Sequence, residues 1–161
     1  MTAPFRLGQG IDIHRFTAGD HVMLCGVRIP HDQGVLAHSD GDVALHAVCD
    51  ALLGALALGD IGQHFPDTDP TWRGADSRDL LRHVHTLLQA RTYRVAQIDL
   101  CILAERPRIA AHVTQMRQNL AADLAMAISD VSVKATTCEG LGAIGRREGL
   151  MAQAVCLLVQ E

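Results

Sequence analysis

With 161 residues, of which 48% are hydrophobic and 20% charged, the chain has the length and composition of one globular domain, expected over residues 1–161. A net charge of −4 without a basic stripe argues against a nucleic-acid-binding protein, and no apolar stretch is long enough to span a membrane. Five scattered cysteines without a C-x-x-C motif, together with a start (MTAPFRLGQG) that lacks the apolar core of a signal peptide, predict a reduced, cytoplasmic protein.

The hydrophobic pattern predicts eight elements in the order β-β-α-α-β-α-β-β. Strands are expected at residues 5–14 and 22–29, followed by a helix that begins with a capping box at Ser39 and Asp42 and ends near Leu58. The remaining elements are a loop at residues 60–74, a helix capped by Asp76 or Ser77, a strand at residues 93–103, a helix begun by Pro107, the strand VSVKATT, a glycine-rich loop and the strand LMAQAVCLLV.

This order predicts an α+β fold in which a single sheet of four to five strands carries three helices on one face. The last strand is apolar on both sides, so the face without helices is expected to be covered as well. In so short a chain, a second copy of the chain is the expected cover.

Two short patterns place possible metal ligands on a strand and on a helix. Asp12 and His14 lie two residues apart in GIDIHRF, so their side chains leave the same face of the predicted strand. Asp42, His46 and Asp50 are spaced by four residues and form one polar line on an apolar helix. Either pattern alone is typical of a solvated strand edge or a hydrogen-bonded core histidine. Together, two histidines and one carboxylate match a catalytic zinc site or a non-haem Fe(II) site, with the two helix acids as partners or substrate contacts, and the spacing does not choose between the metals.

Three other motifs each have a functional and a structural interpretation. The loop GLGAIG at residues 140–145 is not a dinucleotide-binding motif, because a strand and not a helix follows it. It is either an anion-binding turn beside Arg146 or a plain tight turn. Thr137 and Glu139, in KATTCEG, are either ligands of phosphate and a hard metal ion or residues of an ordinary strand end. The aspartates of DIGQHFPDTDP are either site residues or part of a solvated loop.

Long motifs in a fixed order run through nearly the whole chain. They are G-x-D-x-H at residues 10–14, AHSDGDVALHA with DALLGA at 37–55, LGDIGxxFPDTDP at 58–70, GADSR at 74–78, and VKATT with LGxxGRxEG at 133–149. Over residues 8–159 the chain therefore resembles the family of 2-C-methyl-D-erythritol 2,4-cyclodiphosphate synthases of the non-mevalonate isoprenoid pathway.

The resemblance implies a phosphorus–oxygen lyase that acts on 4-diphosphocytidyl-2-C-methyl-D-erythritol 2-phosphate. The 2-phosphate of the substrate attacks the β-phosphorus, CMP leaves, and a cyclic diphosphate forms. Because the nucleophile belongs to the substrate, the protein needs to supply only positioning and charge neutralisation. The resemblance also implies a homotrimer in which the sheets face each other and the active sites lie between subunits.

The resemblance assigns metals and substrate contacts to numbered positions. Zn²⁺, one ion per subunit, is expected on Asp12, His14 and His46, and Mg²⁺ or Mn²⁺ on Glu139. His38 and Thr137 are expected to act on the reacting phosphates. The residues expected to line the substrate are Asp12, Ile13, His14, His38, Ser39, Asp60, Ile61, Gly62, Phe65, Pro66, Asp67, Thr68, Asp69, Ala104, Glu105, Arg106, Pro107, Arg108, Ile109, Ala110, Ala135, Thr136, Thr137, Cys138, Glu139, Ala143 and Arg146. Of these, the segment Ala104–Ala110 with Ala135–Thr137 is expected to form the cytidine pocket.

The chain departs from the usual sequence of the family at three positions. Gly140 stands where a cation is frequent and Ala143 where an aromatic is frequent, which weakens the case for an isoprenoid phosphate on the trimer axis. Arg108 stands where lysine is common. The alternatives to cyclisation are a metal-dependent phosphohydrolase, an Fe(II) oxygenase, and a non-catalytic, zinc-stabilised oligomer that binds nucleotides.

Overall fold

The computed structural model describes residues 4–161, and residues 1–3, which begin the predicted domain and the segment MTAPFRLGQG, lie outside this range. The strands are β1 (Phe5–Thr17), β2 (His21–Leu24), β3 (Val27–Pro30), β4 (Gly34–Val35), β5 (Tyr93–Leu103), β6 (Val131–Thr136) and β7 (Gly149–Gln160). The helices are α1 (Val43–Ala55), α2 (Ile61–His64), α3 (Ser77–Gln89), α4 (Val113–Asp123) and α5 (Gly142–Gly145), with short 3₁₀ turns at Pro70–Trp72, Ala110–His112 and Ile128–Asp130. Within residues 4–161, no helix combines the length and the apolar character needed to cross a membrane.

The main sheet has five strands in the order β4-β1-β7-β5-β6. β5 and β6 are parallel and the other neighbours are antiparallel, so β1, β5 and β6 run in the same direction. One row of the register joins Ile13, Met151, Leu103 and Thr136 across β1, β7, β5 and β6. The ends of β1 and β6 therefore lie at the same end of the sheet, but three strand spacings, or about 14 Å, apart.

Helix α1 lies directly on β1, and two glycines of the strand make this approach possible. A Cβ atom on Gly8 would lie 1.8 Å from the carbonyl oxygen of Ala51, and one on Gly10 would lie 2.1 Å from that of Ala47. Only glycine leaves room for the helix backbone at these two positions. The close contact buries 11 of the 13 residues of α1 and brings His46 against the end of β1.

The three long helices α1, α3 and α4 cover one face of the sheet. The other face is open and mixed: it is apolar along part of β1 and β7 and carries the Asp99–Lys134 ion pair on β5 and β6. Leu7, Ile11 and Ile13 of β1 point to this open face and are 69%, 46% and 59% exposed. Met151 and Leu157 of β7, which pair with Ile13 and Leu7, are half-buried beside them. These residues form an apolar strip, interrupted by Gln9 on β1 and by Gln153 opposite Ile11, and an exposed strip of this kind marks an interaction surface.

The structure confirms a mixed α+β arrangement but differs from the predicted elements in several places, which include the short elements β4, α2 and α5. Residues 22–29 do not form one strand of the main sheet; they form the separate hairpin β2–β3, because two left-handed residues in a tight turn reverse the chain. The predicted capping box is wrong, since Asp42 itself caps α1 and the helix begins at Val43. The helix predicted from Pro107 begins only at Val113, after a loop and a 3₁₀ turn.

Candidate active site

Three possible metal ligands meet where the end of β1 lies against α1. Strand alternation directs Asp12 and His14 to the helix side of β1, and α1 supplies His46. His14 Nε2 lies 2.8 Å from Asp12 Oδ2 and 3.1 Å from His46 Nδ1. His46 Nδ1 lies 3.0 Å from the same Asp12 oxygen. Three ligand atoms from residues distant in sequence thus converge on one point.

The donor set and its spacing fit a divalent transition metal. A tetrahedral zinc ion with ligand distances of about 2.0–2.1 Å holds its ligand atoms about 3.3 Å apart. The three atoms here are 2.8–3.1 Å apart, so a small outward movement would give this spacing. Two imidazoles and one carboxylate also leave a coordination position for substrate, as catalytic zinc requires.

The three side chains shift one another's proton affinity. Burial alone would raise the pKa of Asp12, but hydrogen bonds and charge from His14 and His46 outweigh burial and lower the pKa from 3.8 to about 2. Burial alone would lower the pKa of His46, but the hydrogen bond to Asp12 and the charges of Asp12, Asp42 and Asp40 raise it above 6.5. The site therefore keeps an ionised carboxylate, which attracts a cation.

The other two acids of the polar line on α1 hold backbone groups. Asp42 is fully buried and accepts two N–H groups of the β2–β3 turn at 3.0 and 2.7 Å, as well as that of Leu45 at 3.0 Å. Asp50 accepts the N–H of Ile61 at 2.7 Å. Their side-chain hydrogen bonds connect α1 to the hairpin and to α2; neither residue lines the cavity, and Asp42 acts on His46 through its charge.

A cavity of about 720 Å³ opens at the triad. The predicted site residues that line it are Asp12, His14, His38, Ser39, His46, Ile61, Gly62, Phe65, Asp67, Thr68 and Asp69. Three residues predicted for this half of the site, Ile13, Asp60 and Pro66, do not line it. Strand alternation directs the side chain of Ile13 to the open face of the sheet, so its substrate contact stays a prediction that only its backbone could fulfil here.

The segment 60–73 forms one wall of this cavity and is fixed by an aromatic cluster. Asp60 caps α2 by accepting the N–H of Gln63 at 3.0 Å. Phe65 is only 6% exposed, and its ring packs edge-on against Trp72 and His83 at centroid distances of 4.8 and 5.4 Å. This packing holds the segment against α3 and leaves the aspartates of DIGQHFPDTDP facing the cavity or solvent.

Two residues before α1 occupy different depths of the cavity. His38 lies at the entrance with its side chain 68% exposed, and its Nε2 is 3.8 Å from Asp67 Oδ2. Ser39 lies deeper, with Oγ 3.1 Å from Nε2 of His46. An imidazole at the entrance and a hydroxyl at the triad are both suited to hydrogen bonding with a phosphate.

The second group of predicted site residues follows β6 and does not line this cavity. Thr137 Oγ1 lies 3.2 Å from Oε1 of Glu139, whose backbone is left-handed at φ 53°. Glu105 holds the same loop, because its Oε1 accepts the N–H of Cys138 at 2.8 Å and that of Gly140 at 3.4 Å. Glu105 thus anchors the loop that presents Glu139.

Only part of the segment predicted to form the cytidine pocket lines a cavity. Arg106, Pro107 and Arg108 line a second cavity, of about 430 Å³, together with residues around β3. Arg146 donates to Glu148 at 2.8 Å. The remaining predicted residues of this half, which line neither of these two cavities, are Ala104, Ile109, Ala110, Ala135, Thr136 and Ala143.

Several residues at the first cavity or behind the triad were missed from the sequence, four of them with aromatic or polar side chains. Trp72 and Arg73 line the cavity, and Arg73 adds a cation to it. Ser77 and Asp40 lie behind His46, within the motifs GADSR and HSDGD. The contact between these two residues, 37 positions apart, leaves no trace in sequence periodicity.

Comparison with known proteins gives the same family throughout. The family model YgbB matches residues 5–159. The 2-C-methyl-D-erythritol 2,4-cyclodiphosphate synthase of Chromohalobacter salexigens is 62% identical over 154 residues, 96% of this chain and 95% of that protein. The bifunctional IspDF of Campylobacter jejuni matches 98% of the chain with a TM-score of 0.94 and 38% identity, and the chain spans 42% of that protein. IspF of Plasmodium falciparum, solved as a CDP complex, matches 100% of this chain and 99% of its own, with a TM-score of 0.87 and 33% identity.

Proposed function

This chain belongs to the YgbB family, and from that premise we propose that it converts 4-diphosphocytidyl-2-C-methyl-D-erythritol 2-phosphate into 2-C-methyl-D-erythritol 2,4-cyclodiphosphate and CMP. This reaction is a step of isoprenoid precursor biosynthesis by the non-mevalonate pathway. The observation that carries the proposal is the Asp12–His14–His46 cluster at the cavity of a chain so similar to curated synthases.

The proposed reaction is an intramolecular phosphoryl transfer. An oxygen of the substrate's 2-phosphate forms a bond to the β-phosphorus, the bond from that phosphorus to the bridging oxygen breaks, and CMP leaves with the bonding electrons. Neither a protein nucleophile nor a water molecule takes part, so the protein must position two phosphates and neutralise their charge.

We propose Zn²⁺ at the triad and Mg²⁺ or Mn²⁺ at Glu139 as the two metals. When bound, such ions supply Lewis-acid stabilisation of the negative charge on the phosphates. The triad contributes a carboxylate and two imidazoles, which suits zinc, and Glu139 contributes a carboxylate on an exposed loop, which suits a hard cation.

The chain's own residues divide into those that orient the sugar phosphate and those that hold the diphosphate. His38 and Ser39 are proposed to donate hydrogen bonds to the methylerythritol 2-phosphate, with the segment Phe65–Asp69 against the sugar. Arg73 adds positive charge at the same cavity. Thr137 donates its hydroxyl hydrogen bond to Glu139 in the structure, and it is proposed to redirect this bond to the phosphate under attack when Glu139 holds the cation.

The two groups end different strands of one chain, and their separation supports a shared site. The triad is on β1, Thr137 follows β6, and the register places these strand ends about 14 Å apart. A second copy that placed its β6 loop at the mouth of the first cavity would complete the site. We therefore propose active sites between subunits.

The open face of the sheet supports the same assembly. Leu7, Ile11 and Ile13 form an exposed apolar strip that a neighbouring sheet would cover. We propose a homotrimer in which these faces meet, because a closed ring lets each chain give its triad to one site and its β6 loop to another.

The test is ³¹P NMR of the purified protein incubated with the diphosphocytidyl substrate and Mg²⁺, with and without prior removal of zinc by a chelator. Two coupled cyclic-diphosphate signals that appear together with CMP, and only when zinc is present, are the expected result. Release of inorganic phosphate would indicate a phosphohydrolase on this scaffold. An unchanged spectrum from folded, metal-loaded protein would indicate a non-catalytic binder, and either result would overturn the proposal.

A further inference from the structure

The ring of His46 has a second polar environment, on the side away from Asp12 and His14. Its Nε2 lies 3.0 Å from Ser77 Oγ and 3.1 Å from Ser39 Oγ, and the residue is only 9% exposed. A neutral imidazole carries one proton. The partners of Nε2 therefore influence whether Nδ1, the atom in the triad, has a free lone pair.

The hydroxyl of Ser77 can only accept a hydrogen bond from Nε2 of His46. It is fully buried at the first turn of α3, and its hydroxyl donates a hydrogen bond to Asp40 Oδ1. Its backbone N–H also donates to Asp40 Oδ2 at 3.1 Å. An ionised carboxylate only accepts, so the single hydroxyl proton of Ser77 points to Asp40 and its lone pairs point to His46.

The hydroxyl proton of Ser39 is not held by a carboxylate. Its Oγ accepts the N–H of Gly41 at 3.2 Å, and its own proton remains available to Nε2 of His46. Ser39 therefore accommodates either tautomer of the ring. The two hydroxyls lie at nearly the same distance from Nε2 but differ in their effect on the ring: Ser77 favours the Nε2–H tautomer, and Ser39 favours neither.

Asp12 favours the opposite tautomer of His46 to the one that Ser77 favours. Its Oδ2 lies 3.0 Å from Nδ1 of His46 and, in the metal-free protein, favours a proton on that atom. A metal ion must displace this proton, so the site binds metal more readily when the proton already sits on Nε2. Carboxylate partners behind a metal-bound histidine act in this way, and their loss typically costs 10–100-fold in metal affinity.

We propose that Ser77 and Asp40 are positioning residues that fix His46 as its Nε2–H tautomer and so prepare Nδ1 for the metal. This inference rests on the proposed metal site. It adds to that site a hydroxyl–carboxylate pair that touches neither the cavity metal nor the substrate. The pair lies in the GADSR and HSDGD motifs and links α3 to the segment before α1.

The test compares Ser77→Ala with Ser39→Ala, since both remove one hydroxyl from Nε2. Zinc dissociation constants are measured by competition with a chromophoric chelator, and the tautomer of His46 by long-range ¹H–¹⁵N spectra of the metal-free protein at about pH 9, where histidine is neutral. Ser77→Ala is expected to weaken zinc binding about tenfold and to shift the ring towards the Nδ1–H tautomer. Ser39→Ala is expected to leave zinc affinity within about threefold of wild type and to shift the tautomer the other way or not at all.

Asp40→Asn provides an independent test if Ser77→Ala folds poorly. It keeps an acceptor oxygen for Ser77 but removes the charge, so an intermediate loss of zinc affinity is expected. Wild-type affinity and an unchanged tautomer in Ser77→Ala, with only a lower melting temperature, would show that Ser77 is merely structural and would overturn the inference. A wild-type chain that does not bind zinc, or a His46→Ala variant that binds it equally well, would instead overturn the proposed metal site.

Discussion

His14 on β1 and His46 on α1, 32 residues apart in the chain, bring Nε2 and Nδ1 to within 3.1 Å of each other. Neither side chain reaches the other unless the helix axis lies close to the strand. That approach is set at Gly8 and Gly10, where the carbonyl oxygens of α1 occupy the space that a Cβ would fill. The metal site therefore depends on two glycines that have no functional side chain and act only by leaving room for α1.

Gly10→Ala is expected to push α1 away from β1 and to impair both stability and metal binding. Its Cβ would lie 2.1 Å from the Ala47 carbonyl oxygen, which is backbone and cannot rotate away. We expect a loss of about 3 kcal/mol in the free energy of unfolding, measured in urea, and zinc affinity weaker by more than about tenfold. The matched control is Gly54→Ala in α1, where the nearest atom is 4.0 Å away and a neutral or stabilising effect is expected. Equal effects of the two substitutions would contradict this account.

His46→Ala is expected to abolish stoichiometric zinc binding while leaving the chain folded. The ring faces the cavity and its removal deletes one of three ligands, whereas α1 keeps its apolar contacts. Metal content and circular dichroism measure the two effects. His21→Ala, which removes an exposed histidine paired with Asp20, is the control and should retain zinc. Full zinc content in the His46 variant would remove this residue from the triad.

Glu139→Gln is expected to affect Mg²⁺ and not zinc. The amide keeps the shape of the side chain but loses the charge that a hard cation requires. Activity should fall at least about a hundredfold, and the Mg²⁺ concentration for half-maximal activity should rise, with unchanged zinc content. A Mg²⁺ titration that coincides with that of the wild type would exclude the assigned role.

The contribution of the triad to stability of the metal-free protein should be greatest in mildly acidic solution. The lowered pKa of Asp12, about 2, gives stability that is present above the unfolded value of 3.8 and is lost as pH falls towards 2. The raised pKa of His46 gives stability that is present below 6.5 and is lost as pH rises through its folded value. Between these limits, urea unfolding of wild type and Asp12→Asn should differ by about 1–2 kcal/mol, after allowance for solvent screening.

With zinc present, the contribution of the triad to the free energy of unfolding is expected to increase with pH. Zinc binding requires neutral imidazoles, so the stabilisation that it adds should grow as the pH rises above about 6.5. Unfolding of the wild type with zinc and with a chelator, measured at the same pH values, separates the two trends. A difference between the metal-free wild type and Asp12→Asn that widens in alkaline solution would contradict the assigned pKa shifts.

The longer elements and the ligand types could be predicted from the sequence because they depend on local periodicity and residue chemistry. The strand expected at residues 93–103 is β5, and Asp12, His14 and His46 do come together. Two failures concern where helices begin, at α1 and α4, and the others concern which residues pair with each other. Periodicity identified residues 22–29 as extended but gave no sign that they pair with each other instead of joining the main sheet.

Hydrogen-bond partners distant in the chain were beyond prediction for the same reason. Asp42 lies in line with His46 on α1, yet its acceptors are used by the β2–β3 turn, which the helix pattern does not reveal. Ser77 and Asp40 meet only because α3 packs beside the segment before α1. The predicted homotrimer stays a prediction, supported by the exposed strip of β1.

The central claim is that the triad of one chain and the Glu139 loop of another act on the same substrate. The most direct test is to co-express His46→Ala and Glu139→Gln chains with different tags, purify the mixed oligomer, and measure CMP release against each variant alone. If sites are shared, random assembly pairs an intact triad with an intact loop at about a quarter of the sites, and activity should recover to about that fraction of wild type. Mixed oligomers no more active than the separate variants, from a wild type that is active, would contradict the claim.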